Sequence, residues 1–275
     1  MLIKRNLSTA AAAGRTPLLS RLRFAVDVNA LSAAGFAVEQ AGFNLGGVAI
    51  DILAPGNSNS WALKDGFSGG NTHLDGIATE IEGFDILGQT LDHTRAKPHP
   101  NLATALYSIS VSTPDLQRTV DSMSASLGPP QKGMPRMVPS PFSADVAMAF
   151  FKLGSPSGPI ILEIFAPSTP GTAVSLPGLP AIDADRVAPA SIVGMVVVVP
   201  MLDHLPSLLG IDRMGKARPA MQGQGRMIAP VRHDHVDGLS LGLAFMTPPD
   251  PAALQARAKK GSGLGLSSVL STAGD

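Results

Sequence analysis

The chain contains no cysteine. That excludes a disulfide framework, a thiolate nucleophile, a zinc–thiolate site and an iron–sulfur cluster, and it leaves the redox character of the compartment open. Charge is scarce too. Charged residues are 15% of 275, with Lys+Arg and Asp+Glu at 21 each, against about 25% in an average protein. A neutral chain lacks the electrostatic footprint of a nucleic-acid binder. It also lacks the charge that holds small domains apart, so a homodimer is compatible with the composition. No apolar run approaches the roughly 18 residues of a membrane helix. The longest, 195–201, has a Val-Val-Val-Val centre and reads as a buried strand, because β-branched side chains suit a pleated sheet. Aromatics are few, with one Trp, one Tyr and ten Phe.

Pro and Gly are abundant, at 24 and 29, and they argue against long helices. With 44% hydrophobic residues the chain can bury a core. The pattern is many short strands with a few short helices. Strands are expected at 22–28, 46–54 and 60–64, with a turn at Pro55-Gly56-Asn57. A short helix with Asn29 as its N-cap is expected over 29–40. Residues 76–91 are ambiguous between a strand and a broken helix.

The best-defined unit starts at Ala105. Residues 105–112 (ALYSISVS) alternate as a strand. Thr113, as N-cap, and Pro114 open a helix over 115–127, with Leu116, Val120, Met123 and Leu127 on one face and Gly128 as its stop. Strands at 145–152 and 160–165 follow. A Pro-, Gly- and Ser-rich stretch, 167–189, reads as a linker. The order then returns: a strand at 192–199, a helix at 201–209 stopped by Gly210, and strands at 226–231 and 239–246. Units 105–166 and 190–247 therefore share strand, short helix ending in Leu-Gly, and further strands, a weak internal repeat. Residues 20–100 form a third region. Residues 1–19 and 248–275 read as tails. Lys4, Arg5, Arg15, Arg21 and Arg23 precede the first acid, Asp27, a composition similar to a mitochondrial presequence. The two compartments this allows are the cytoplasm and the mitochondrial matrix.

Short motifs carry a family resemblance. Tyr107-Ser-Ile-Ser-Val-Ser-Thr-Pro-Asp115-Leu116, Leu127-Gly128 and Leu162-Glu163-Ile164-Phe165 resemble the vicinal oxygen chelate (glyoxalase/bleomycin-resistance) superfamily. Asn59-Ser-Trp61-Ala-Leu-Lys-Asp65-Gly66-Phe67 and His99-Pro100-Asn101 resemble its glyoxalase-like branch. The resemblance implies an α+β fold in which paired βαβββ modules form a curled, cup-like mixed sheet. It implies a small oxygenated organic ligand and a lyase, isomerase or dioxygenase; the same fold also serves non-catalytic binding modules, and an assembly subunit is a third reading. It implies a divalent metal held by His from first strands and Glu from last strands. The expected His positions hold Tyr107 and Gly194, and the first strand reads Arg21-Leu22-Arg23. Glu163 alone remains, so the cofactor is unknown.

Glu163 sits in an apolar strand and by alternation shares a face with Ile161 and Phe165. A carboxylate in an apolar cup suits a general base, with Tyr107 placed to polarise a carbonyl. Asn59, Trp61, Phe151 and Phe165 are candidate lining residues, and Arg218 and Arg226 candidate anchors for an anionic ligand. His233 and His235 are two apart: on a strand both rings could reach one metal with Glu163, whereas in a loop both are solvated. The pattern Gly238-Leu-Ser240-Leu-Gly242 mimics a nucleophile elbow but lacks the preceding buried strand and a later His.

Overall fold

The computed structural model describes residues 16–39, 42–64, 73–81, 97–128, 138–140, 143–175, 179–182, 185, 187–221, 223–232 and 235–255. Among them the chain forms two mixed sheets with a few short helices. The first sheet holds β1 (Leu18–Ala25), β2 (Gly42–Leu45), β3 (Val48–Leu53), β4 (Ser60–Lys64), β5 (His73–Leu74) and β6 (Ile77–Ile81), with α1 (Val28–Ala33) between β1 and β2. The second holds β7 (Ala105–Ser112), β8 (Val138–Ser140), β9 (Ser143–Leu153), β10 (Ile160–Pro167), β11 (Ser191–Val198), β12 (Arg218–Pro219), β13 (Met227–Pro230) and β14 (Gly242–Met246). Helices α2 (Leu116–Leu127) and α3 (Leu205–Leu209) follow β7 and β11.

The repeat read from the sequence is realised in the strand order. In the first module β7 pairs in parallel with β10, β10 antiparallel with β9, and β9 antiparallel with β8. In the second, β11, β14, β13 and β12 pair in the same way. Antiparallel pairing of β7 with β11 joins them into one eight-stranded sheet that curls as a half-barrel. The first sheet is a reduced copy: β1, β3 and β2 mirror β4, β6 and β5 across an antiparallel β1–β4 join.

Local chemistry explains where elements begin. α1 starts two residues earlier than a cap at Asn29 would place it, because Asp27 is the N-cap and accepts the Asn29 N–H at 2.8 Å. It ends at Ala33 with Ala34 as C-cap, well short of residue 40, and Gly35 just beyond turns the chain at φ +79°. A side chain there would meet the Asn101 Cβ at 2.9 Å. α2 is capped by Asp115, which accepts the Arg118 N–H at 3.0 Å, while Thr113 Oγ1 accepts the Asp115 N–H one step earlier. The strand expected at 46–54 begins only at Val48, since Gly46 and Gly47 (φ +61° and +90°) form the tight turn from β2.

One core lies between the sheets. Leu162 and Ile164 of β10, Ile109 and Val111 of β7, and Val120 and Met123 of α2 are buried in the same cluster as Leu22 and Phe24 of β1 and Trp61 of β4. The convex face of the curled sheet is therefore covered, and its opposite face is the concave one. Polar ties fasten the sheets. Asn59 Oδ1 accepts the Ala25 N–H at 2.7 Å, and its Nδ2 donates to the Ile192 carbonyl at 2.6 Å. Asp75 pairs with Arg118 at 2.7 Å and accepts from the Thr119 hydroxyl. His99 Nδ1 accepts the Ala37 N–H, so Nε2 carries the proton and donates to the Asn44 carbonyl at 3.0 Å. No described helix is long and apolar enough to cross a membrane.

Asn59→Ala would strand one backbone donor and one acceptor between the sheets. It should cost about 2 kcal/mol, read as a lower urea midpoint with unchanged slope; an unshifted midpoint would refute the tie.

Candidate functional site

A recess of about 150 Å³ opens on the concave face of the eight-stranded sheet. Strand register places its floor. One row crosses the sheet as Phe150, Glu163, Ser110 and Gly194, and Gly194 pairs onward with Gly242. Glu163 is 8% exposed and lines the recess with Ser110, Phe165, Arg218 and Ala244. The period of two delivers it there: Leu162 and Ile164 point into the main core, while Phe165 joins a separate cluster with Val146 and Met148 on the concave side.

Tyr107 flanks the recess. It packs with Val196, Ile228 and Ala244, all three of which line it. A register shift in β7 between the partners of Val196 and Val197 turns Tyr107 to this side. The Arg226 guanidinium stacks over the Tyr107 ring at 4.9 Å. Arg226 Nε is buried without a hydrogen-bond partner. Burial pushes the Tyr107 hydroxyl above its ordinary value near 10, Arg226 pulls it back, and Glu163 adds to the rise. The phenol is thus a neutral donor at physiological pH.

The structure gathers Glu163, Phe165 and Arg218 around the recess and sets Tyr107 and Arg226 beside it. It places three other expected lining residues elsewhere. Phe151 lies in the main core, on the face opposite Glu163; alternation makes Phe150 its concave-side neighbour. Trp61 is fully buried in the core and donates to Thr79 Oγ1 at 2.7 Å. Asn59 spends both ends of its amide on backbone groups. His235 is exposed in a turn and does not line the recess, and His233 lies outside the described residues. The sequence carries a further signal for this face in β7, where Ser108, Ser110 and Ser112 alternate with apolar residues as one polar face would. Leu179, on the recess wall, left no such trace in the linker.

The described donor set does not fit a resident divalent ion. No three His, Asp or Glu side chains converge among the described residues, whereas a catalytic metal ordinarily takes three protein ligands. Around Glu163 stand Ser110, Gly194, Gly242 and Ala244. The matching face of the first sheet is closed by charge instead. Asp51 stands opposite Arg23 in the β1–β3 register, as Glu163 stands opposite Ser110 in β7–β10. Arg23 meets Asp51 at 3.5 Å and Glu80 at 2.6 Å, and Arg21 meets Asp51 at 2.7 Å.

No family model matches the sequence, and no curated protein does either. Solved structures do match the coordinates. A xylose isomerase-like TIM barrel/4-hydroxyphenylpyruvate dioxygenase fusion protein is similar over 90% of this chain and 53% of its own, at 13% identity and TM-score 0.50. This chain has the vicinal oxygen chelate fold. A 4-hydroxymandelate synthase variant from Streptomyces coelicolor is similar over 85% of this chain and 93% of its own, at 10% identity and TM-score 0.48. Methylmalonyl-CoA epimerase from Mycobacterium tuberculosis covers 60% of this chain and 99% of its own, at 16% identity and TM-score 0.38. At 13% identity the likeness to the dioxygenase fusion protein shows a shared fold and no activity.

Tyr107 is the only tyrosine in the chain, so ultraviolet titration reads it alone. Its midpoint should lie above 10, move down in Glu163→Gln and up in Arg226→Ala. A midpoint unmoved in both variants would break the electrostatic link. Because the folded value is raised, this tyrosine should favour the native state up to its unfolded value and lose that contribution as pH climbs further.

Proposed function

We propose that the recess binds a small anionic oxygenated organic molecule and that Glu163 acts on it as a base. The observation that carries this reading is one nearly buried carboxylate on the wall of an otherwise mainly apolar recess, with arginine at its edge. A volume of about 150 Å³ matches a ligand the size of one benzene ring. Arg226, half-buried and stacked on Tyr107, is the anchor for a ligand carboxylate. A single nearly buried carboxylate with arginine at the edge of the recess supports proton transfer. Glu163 takes a proton from the carbon beside a ligand carbonyl, the C–H electron pair moves into an enolate, and Tyr107 or Arg226 faces the developing negative charge. Delivery of that proton from Glu163 to a different atom of the delocalised enolate, rather than back to the same face of the same carbon, completes an isomerisation.

A binding-only role is the second reading, and one observation favours it. Across from Glu163 stand Gly194, Gly242 and Ala244, which supply no second acid–base side chain.

Deuterium uptake by 2-oxobutanoate in heavy water separates the two. Wild type should speed exchange at the carbon next to the carbonyl. Glu163→Gln should lose at least about a hundredfold of that acceleration with binding retained, and Arg226→Ala should weaken binding about tenfold. Binding without accelerated exchange in wild type overturns the base and leaves the sequestering role.

A further inference from the structure

The stretch joining the two modules does more than connect them. Val174 and Ile182 pair as an isolated antiparallel bridge, with the Ile182 N–H donating to the Val174 carbonyl at 2.8 Å and the reverse bond at 3.1 Å. Both are buried, in a cluster with Val146, Met148 and Phe165 of the concave face, and Leu179 packs against that cluster. This cluster is separate from the main core. Leu179 also lines the recess. Its Cδ2 lies 3.1 Å from where a Cβ at Gly194 would stand, so the side chain reaches to the β11 backbone in the same row as Glu163.

From this placement we infer that Leu179 forms the wall that limits ligand size in the recess. The inference rests on the binding role proposed above. Three features support it. The residue borders the cavity from a segment that belongs to neither module's sheet. The Val174–Ile182 pair that flanks it is buried in the concave-side cluster and not in the main one. Leu179 also occupies space that any side chain at position 194 would fill, which makes the Gly194–Leu179 contact a fitted one. The ligand class that follows is a carboxylate with a body no larger than one six-membered ring.

Titrations with propanoate, benzoate and 2-naphthoate, followed by ligand-observed NMR, test this. Wild type should bind propanoate and benzoate and discriminate against 2-naphthoate by at least about tenfold. Leu179→Ala should erase that discrimination, and Leu179→Phe should weaken benzoate about tenfold while sparing propanoate. Leu208→Ala, at an exposed position on α3, should leave the series unchanged. Hydrogen exchange on wild type is independent of any variant's folding: benzoate should slow the Val174 and Ile182 amides. An unchanged size limit in Leu179→Ala with benzoate still bound overturns the role of Leu179 alone. A wild type that binds none of the three overturns the recess reading, and this inference with it.

Discussion

Antiparallel pairing of β7 with β11 is the constraint on which the rest depends. Each module alone is a four-stranded mixed sheet with a helix on one face. A lone module would leave the first strand's edge unpaired, an exposed row of backbone donors and acceptors. Joining first strand to first strand satisfies both edges at once and sets the two sheets into one curved surface. The curvature gives the surface an inside. Its outer side is buried against α2 and the first sheet, and the recess that holds Glu163 opens on the inner side. Glycines at 194 and 242 let the strands and Leu179 approach closely at the centre, where the carbonyl of Gly242 would stand 2.6 Å from a Cβ at Gly194.

The chain uses one architecture twice with different chemistry. In the first sheet the position opposite the first strand holds Asp51, and a guanidinium from Arg23 sits between Asp51 and Glu80. In the second the corresponding position holds Glu163, faced by serine and glycine. Arginine beside a carboxylate neutralises it locally and occupies the space. Serine and glycine leave the space open, so the acid borders a recess. Side-chain volume at equivalent register positions thus separates a closed face from an open one.

Much of the architecture was legible in the chain. Apolar alternation and apolar runs place β7, β9, β10 and β11 within a few residues of their bounds. The face of Glu163 was legible for the same reason. Boundaries at caps were less so. Asp27 and Asp115 cap helices for which Asn29 and Thr113 were equally plausible by type, and only the hydrogen-bond geometry decides among neighbouring cap residues. Phe151 illustrates the limit of alternation: a shift of one residue exchanges the core for the cavity, so Phe150 and Phe151 cannot be assigned until the register with β10 is known. Asn59 and Trp61 looked like ligand contacts because polar and aromatic residues suit both recognition and internal ties. Their partners, Ile192 and Thr79, are brought to them by tertiary contact.

By itself the sequence determined the secondary-structure type, the repeat and the side of β10 on which Glu163 lies, since these follow from spacing along one strand or helix. The tertiary structure alone decided which strands meet, that Leu179 reaches the row of Glu163, and that Arg226 stacks on Tyr107. These are contacts between residues far apart in the chain. Local periodicity carries no information about such distances; only the packing of complete elements sets them.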